Sequence, residues 1–143
     1  NIPVAFIGLT LEATPTIVSA AGIKDVDFHD EAETVNSLIP ELKKQGVEAI
    51  VVVVHEGVAP STKFNAKTCA GLSGPLTGIL DRLDTAVDVV VSGHTHQSYI
   101  CDYSTLNPQK PFLLTSAGQY GTAITNIKLE LDGKTGDVWN DYG

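Results

Sequence analysis

The sequence is poor in basic residues and has no long hydrophobic run. Nine lysines and arginines stand against 17 aspartates and glutamates, which gives a formal net charge of −8 over 143 residues. Phosphate backbones are bound by clustered lysine and arginine, so this balance argues against nucleic-acid binding. No apolar run approaches the roughly 20 residues of a membrane span, and the first residues lack the basic flank of a signal peptide. A small phosphorylated substrate stays compatible with the charge, because a metal ion can neutralise it locally.

Cysteine is also scarce. Cys69 and Cys101 lie 32 positions apart and form no CxxC pair, which argues against a metal or thioredoxin-type redox role. Two interpretations stay open, namely one disulfide in an exported protein or two inert buried thiols. The surroundings of both cysteines are typical of loops and strand ends and favour the disulfide, which would stabilise the fold by about 3–4 kcal/mol.

The chain has no internal repeats, and its length suits a single domain over residues 1–143. Continuous apolar runs predict strands, and 3.6-residue spacing predicts helices between them. The predicted strands are 3–10, 48–54 and 87–91, and the predicted helices are 30–46 and 75–83. The unbroken runs predict burial on both faces, as in a parallel sheet with right-handed crossovers. We therefore expect an α/β fold, with a parallel β-α-β-α-β unit followed by antiparallel strands.

Three local signals refine this expectation. Asp30 and Glu33 match a capping box at the start of the first helix, and Pro40 predicts a kink or break within it. The loop of about 18 residues between Glu56 and Gly74 is long, and such loops are often functional. The antiparallel strands are expected near 97–102, 111–116 and 122–131, with a turn at Asp132-Gly133 into a last strand containing Trp139.

Three of the four histidines follow predicted strands. His55 comes after strand 48–54, and His94 and His96 come after strand 87–91. Ligands bind beyond the carboxyl ends of parallel strands, and neighbouring strands are only about 4.8 Å apart. If the backbone stays extended, His94 and His96 present their side chains on one face. The pattern predicts that the three histidines converge on one rim and ligate a metal ion.

The plainer interpretation applies to the neighbouring polar residues. His29 is interpreted as a hydrogen-bonded surface residue. Glu56 could orient a ligating histidine, although a solvated loop charge is the simpler interpretation. Thr95 and Gln97 are rim residues that could face a substrate.

The segments VVVVHEG (51–57) and VVVSGHTHQ (89–97) together resemble the second half of the calcineurin-like metallophosphoesterases. More narrowly, they resemble the group of 5'-nucleotidases and 2',3'-cyclic-nucleotide phosphodiesterases, and VAFIGLTLEATP (4–15) and LTSAGQYGTAITNIKLELDGKTGDV (114–138) are similar to that group too. The resemblance implies a partial metallophosphoesterase sandwich. It also implies hydrolysis of nucleotide phosphate esters by metal-activated water.

The same resemblance implies the ligands and cofactors. His55 and His94 would ligate one ion of a dinuclear site, and His96 would ligate the other. The cofactors would be two divalent ions, with Zn, Mn or Fe suited to neutral imidazoles, and Co or Ni also able to enter.

The elements of the family's first half have no counterpart in this sequence. They are an Asp-x-His pair, a bridging aspartate in a Gly-Asp element and an Asn-His-(Asp/Glu) element that carries the catalytic histidine. Asp27 and His29 are two apart, but they precede a helix and are interpreted as coincidence. We therefore expect the C-terminal portion of a catalytic domain, without its N-terminal half or its nucleotide-binding domain. No catalytic residue is assigned, and the chain alone should be inactive and hold at most one ion.

Further expectations concern partners and location. A partial sheet leaves an open edge and an apolar face, which predicts self-association or pairing with the missing half. The cysteines and the resemblance both indicate an extracellular or periplasmic location. Two other hypotheses stay open: a non-catalytic three-histidine metal-binding or assembly module, and an α/β domain whose histidines have no metal role.

Overall fold

The protein is described by a computed structural model that covers residues 1–60 and 65–139. Its described strands are β1 (Val4–Leu9), β2 (Ala49–Val54), β3 (Val89–Val91), β4 (Ser98–Asp102) and β5 (Leu113–Ala117). They form one sheet in the order β1-β2-β3-β5-β4. The pairs β1–β2, β2–β3 and β3–β5 are parallel, and β4–β5 is antiparallel. The predicted α/β class, with a parallel unit followed by an antiparallel pair, is confirmed.

The C-terminal strands differ from the prediction in two ways. β5 lies between β3 and β4 and is parallel to β3, so it belongs to the parallel part of the sheet. Residues 122–131 form no strand, although their side chains alternate between exposed and half-buried. Within the described part of the chain they pair only through Leu131, opposite Val138. Alternation alone decides which side chains face inward, whereas a strand also needs a neighbouring edge for its hydrogen bonds.

The predicted C-terminal turn is present, but up to Trp139 only an isolated bridge follows it, and residues 140–143 lie outside the described part of the chain. The Gly136 amide donates to the Asp132 carbonyl at 2.8 Å, and the Asp132 amide donates to the Asp137 carbonyl at 2.9 Å. Trp139 follows the Leu131–Val138 bridge and is 64% exposed, outside any described strand.

The first helix, α1 (Glu31–Lys44), begins where the capping box predicts. The Asp30 side chain accepts a hydrogen bond from the Glu33 amide at 2.8 Å. The predicted break at Pro40 is absent, and the helix continues through it for four further residues. Ile39 before the proline and Leu42 after it both pack against the core, and this burial offsets the hydrogen bond that proline removes.

The second helix, α2 (Leu76–Leu80), is shorter than predicted but has the predicted apolar residues. Leu76 and Leu80 are fully buried, and Leu83 is buried in the turn that follows. In the described residues, no helix is both long and apolar enough to cross a membrane.

Both helices pack against one face of the sheet. The buried core there joins side chains from the strands and both helices, namely Ile7, Ile50, Val52, Val54, Val90, Leu114, Ala32, Val35, Ile39, Leu76, Ile79 and Leu80. On the other face Phe6 is 71% exposed and Val53 is 41% exposed. The prediction that the first two strands are buried on both faces is therefore wrong at these positions. β1 is also the outer strand of the described sheet, so one of its edges is open.

The long loop before α2 is held against β4. Cys69 and Cys101 form a disulfide with their Cα atoms 5.0 Å apart, so the disulfide is present in place of two free thiols. Ala66 pairs with Tyr99 as an isolated parallel bridge, and Ala59 pairs with Ser73. The loop is therefore anchored at several points to the region that carries His94 and His96.

Candidate metal centre

The histidine-bearing loops leave neighbouring strands at the same end of the sheet. In the parallel register of β2 and β3, Val53 lies opposite Val91. His55 is two residues beyond Val53 and His94 is three beyond Val91. The continuous valine runs thus place both histidines at one rim, as the sequence predicts.

His55 and His94 are in direct contact. His94 Nδ1 lies 3.2 Å from His55 Nε2, and the two rings meet edge to face with their centroids 5.0 Å apart. Two imidazole nitrogens bound at about 2.0–2.1 Å to one tetrahedral zinc ion lie about 3.3–3.4 Å apart. The separation is that of a hydrogen bond between the two rings, and it also fits two ligands of one divalent ion; both residues are exposed to solvent.

His96 does not join the pair. In the described residues, the ligand atoms of the three histidines do not all lie within 4.8 Å of one another. The His96 ring instead lies beside Tyr120, with ring centroids 5.7 Å apart. The structure thus brings His55 and His94 together and leaves His96 apart from that pair, and the ligand roles of all three histidines stay a prediction.

The backbone of the His-x-His segment explains this difference. His94 and His96 have φ values of +63° and +58°, and the Thr95 amide donates to the Gly93 carbonyl at 2.7 Å. The segment is a tight turn, so the extended geometry expected from the sequence is wrong. Left-handed φ values are uncommon for residues other than glycine, although histidine adopts them more readily than most, and strained residues cluster at functional sites.

The two histidine loops are bound to each other on either side of His94. The Gly93 amide donates to the Glu56 carbonyl at 3.0 Å, and the Thr95 hydroxyl donates to the Val58 carbonyl at 2.8 Å. Gly57 lies beneath this contact, where a Cβ atom would come within 2.2 Å of the Gly93 carbonyl oxygen. The interface between the loops thus requires glycine at position 57.

Glu56 differs from its simpler interpretation as a solvated charge. It is only 6% exposed, and its Oε1 accepts a hydrogen bond from the Gly57 amide at 2.8 Å. Thr95 and Gln97 also serve the loop itself: the Gln97 side chain donates to the Thr95 carbonyl at 3.2 Å. The position of Glu56 and Gly57 just after a buried strand and His55 was the sequence feature that could have pointed to them.

Three buried hydroxyl groups, those of Ser92, Tyr99 and Ser116, form hydrogen bonds next to the His-x-His turn. Ser92 Oγ lies 2.6 Å from the Tyr99 hydroxyl, and Tyr99 is fully buried. Burial raises the pKa of the Tyr99 hydroxyl, which keeps it neutral. The Ser116 hydroxyl and the Gly118 amide both donate to the Gln97 carbonyl, at 2.8 and 2.9 Å. Sequence reasoning missed these hydrogen bonds, because nothing in the local pattern links these positions.

The structure also groups carboxylates that the sequence analysis did not connect. Ligand oxygens of Glu12, Asp30 and Glu31 lie within 4.8 Å of one another, beside a pocket of about 290 Å³. The hydrogen bond from the Arg82 guanidinium lowers the pKa of the Asp30 carboxyl, with a smaller effect from the Glu33 amide. Buried Glu31 accepts a hydrogen bond from the Glu12 amide at 2.8 Å. These partners give the cluster a structural role. Asp27 and His29 are exposed and belong to no metal-ligand group in the described residues.

Three curated proteins are similar to this chain, and no family model matches it. The chain is 35% identical over 138 residues to endonuclease YhcR of Bacillus subtilis, a match that covers 96% of this chain and 10% of that protein. It is 34% identical over 142 residues to cell wall protein Lmo0130 of Listeria monocytogenes, covering 96% and 17%. It is 26% identical over 145 residues to a Treponema pallidum protein named "Probable 5'-nucleotidase", covering 90% and 21%.

A solved structure has the same fold. The crystal structure of a "Putative 5'-Nucleotidase" from Staphylococcus aureus in complex with alpha-ketoglutarate superposes with a TM-score of 0.57 and 24% identity, covering 80% of this chain and 21% of that one. At this identity the likeness concerns the fold. The chain spans only 10% to 21% of the length of the curated relatives it matches. These matches agree with the resemblance predicted from the sequence: the chain is similar to a region of much longer proteins, one of which is named a probable 5'-nucleotidase, and it shares the fold of a solved structure of that title.

Proposed function

We propose that this chain forms one wall of the dinuclear metal site of a phosphoesterase that hydrolyses nucleotide phosphate esters. The observation that carries the proposal is the contact between His55 and His94, 3.2 Å apart at the carboxyl rim of a 5'-nucleotidase-like sheet. His94 holds this position with a left-handed φ of +63°, and strained residues of this kind cluster at functional sites, which supports the proposal.

The histidines have distinct roles in this proposal. His55 and His94 hold one divalent ion through the two nitrogens that face each other, and His96 contributes to the other ion. Zn, Mn or Fe suits these neutral nitrogen ligands. Bound divalent ions lower the pKa of water and stabilise negative charge on a reacting phosphoryl group. The remaining task of these residues is to hold the ligand nitrogens at a fixed separation.

The chain alone supplies too little charge for two ions. Three neutral imidazoles cannot balance two divalent ions, and we propose that the carboxylate ligands and the catalytic histidine come from another part of a longer protein. Exposed Phe6 and Val53 and the open edge of β1 give that part a surface to cover. The much greater length of the relatives supports this arrangement.

The substrate and the location follow from the same reasoning. A net charge of −8 repels a phosphate ester unless metal ions neutralise it, so the ions are the binding site for the phosphate. The relatives named for nuclease and nucleotidase activity support a nucleotide ester as the substrate.

The disulfide and the relative named as a cell wall protein support an extracellular location.

The test measures metal content and hydrolysis together. Wild type, a His94→Ala/His96→Ala double variant and His29→Ala are dialysed against a weak chelator, loaded with zinc or manganese and assayed for bound metal per chain. We expect about one ion in wild type and in His29→Ala, and none in the double variant. The chain alone should not hydrolyse nucleotides, and activity should appear when the segment with the missing carboxylates is supplied.

Each contrary result has a clear meaning. Absence of metal from wild type would refute a preformed histidine site. Hydrolysis by the chain alone, at a rate typical of intact enzymes, would refute the division of the site between two parts. One bound ion without hydrolysis, even with the missing segment present, would favour the non-catalytic three-histidine module.

A further inference from the structure

We propose that Thr95, the residue between the two histidines, is a positioning residue that sets the distance between His55 and His94. Its role as a determinant of metal affinity rests on the proposed function. Its role in holding the two loops together rests on the contacts alone.

The first argument is the placement of the hydrogen bonds around His94. The residue before it, Gly93, donates through its amide to the Glu56 carbonyl at 3.0 Å. The residue after it, Thr95, donates through its hydroxyl to the Val58 carbonyl at 2.8 Å. Both acceptors lie on the loop that begins with His55. His94 is therefore flanked by two hydrogen bonds to the loop that carries His55. The one before it uses the Gly93 backbone, and the one after it uses the side chain of Thr95.

The second argument is the strain in the turn. His94 and His96 both adopt left-handed φ values, +63° and +58°. Such conformations are strained for residues other than glycine. Thr95 has one strained residue on each side, and such a turn relaxes unless surrounding contacts hold it. Besides the His94 ring, which contacts His55, the Thr95 hydroxyl is a side-chain group of this turn that reaches the opposite loop.

The third argument is packing. A Cβ atom at Gly57 would lie 2.5 Å from Thr95 Oγ1 and 2.9 Å from Thr95 Cγ2. The hydroxyl and methyl groups of Thr95 thus rest directly on the glycine backbone. Val58, whose carbonyl accepts the hydrogen bond, is fully buried and part of the hydrophobic core. Thr95 therefore connects the exposed histidine pair to the rigid interior of the fold.

These contacts change the interpretation of Thr95 as a substrate-facing rim residue. Its hydroxyl donates to the Val58 carbonyl at 2.8 Å, with the Gly93 carbonyl a longer second acceptor at 3.5 Å, and the residue is half-buried between the loops. A residue that holds a metal ligand in place typically changes metal affinity by about 10- to 100-fold when it is removed. We expect an effect at the lower end of this range, because the Gly93–Glu56 hydrogen bond stays in place.

The experiment compares three substitutions in the full 143-residue chain. Thr95→Val keeps the shape and removes the hydroxyl, and Thr95→Ser keeps the hydroxyl. Thr16→Val is the matched control, because the Thr16 hydroxyl also donates to a backbone carbonyl at 2.8 Å but lies in an exposed turn before α1. For each variant we would measure zinc affinity by calorimetry, the cobalt absorption spectrum, the unfolding free energy without metal, and ring-proton NOEs between His55 and His94 without metal.

The expected result is specific to the hydroxyl. Thr95→Val should bind zinc about tenfold more weakly, with an altered cobalt spectrum and a weakened His55–His94 NOE, while Thr95→Ser and Thr16→Val resemble wild type. Equal affinity and NOE in Thr95→Val and wild type would overturn the proposal. So would equal losses in Thr95→Val and Thr95→Ser, because the hydroxyl would then not be the cause.

The metal-free NOE separates this inference from the proposed function. If wild type binds no metal, the proposed metal site fails, while loss of the NOE in a folded Thr95→Val variant still supports the positioning role. If wild type binds metal and the NOE persists in Thr95→Val, the metal site stands and the positioning role is refuted.

Discussion

At the residue scale, the separation of the two histidines depends on side chains that are not ligands. Gly57 is a point of close approach between the two loops, because the Gly93 carbonyl and the Thr95 side chain occupy the space that a Cβ atom would need there. A side chain at this position must push the loops apart or move one of them. Gly78 in α2 is the opposite case, since nothing lies within 4 Å of a Cβ atom built there.

We therefore expect opposite effects from the same substitution at these glycines. Gly57→Ala should lower the unfolding free energy by about 2–3 kcal/mol through overpacking and should weaken metal binding by the His55–His94 pair. Gly78→Ala should raise the unfolding free energy by about 0.5–1 kcal/mol, because alanine favours the helix. Urea denaturation of both variants provides the comparison. A Gly57→Ala variant as stable as wild type would contradict the close contact between the loops.

At the element scale, β2 and β3 are joined by a buried carboxyl as well as by their ladder. Asp88, just before β3, is 4% exposed, and its Oδ2 accepts a hydrogen bond from the Ile50 amide at 2.7 Å. Burial raises the pKa of Asp88 to about 6, with an opposing effect from the Ile50 hydrogen bond. The folded protein therefore binds a proton at Asp88 between about pH 4 and 6, where the unfolded chain does not.

This difference makes stability depend on pH. Because the folded state binds more protons in this window, the contribution of Asp88 falls as the pH rises from about 4 to 6 and is level above that. Relative to Asp88→Asn, wild type should lose stability between pH 4 and 7. Denaturation of both proteins at these two pH values tests this, and contributions of the other carboxyls cancel in the difference. A constant gap between the two proteins would show that Asp88 titrates normally.

At the scale of the whole molecule, the disulfide joins the long loop before α2 to β4. The cross-link closes 32 positions of chain, and a loop of this length corresponds to about 3–4 kcal/mol of stabilisation. The same loop begins with the Glu56, Gly57 and Val58 contacts to the His-x-His turn. The disulfide thus cross-links to β4 the same loop that contacts the His-x-His turn.

Removal of the disulfide should therefore mainly lower the free energy of unfolding, with a smaller effect on the histidine site. A Cys69→Ser/Cys101→Ser variant should lose about 3–4 kcal/mol of unfolding free energy in urea denaturation. Reduction of wild type should give a similar loss, and reduction of the variant should give none. If the variant were as stable as oxidised wild type, the cross-link would not be a significant part of this fold.

The sequence by itself predicted the parts that depend on nearby residues. Continuous valine runs predicted β2 and β3 and placed His55 and His94 at one rim, and Asp30 predicted the start of α1. The motifs around these histidines were enough to predict the similarity to 5'-nucleotidases. These signals are local, because strand and helix periodicity and helix capping involve residues only a few positions apart.

The tertiary structure alone decided the rest. β5 enters the parallel part of the sheet, Pro40 stays within α1, and the His-x-His segment turns, so that His96 leaves the histidine pair. Glu56 becomes buried, and Thr95 bonds to Val58 across the two loops. Each of these outcomes is set by contacts between residues far apart in the chain. Long-range packing energies determine them, and such energies leave no periodic pattern in the local sequence.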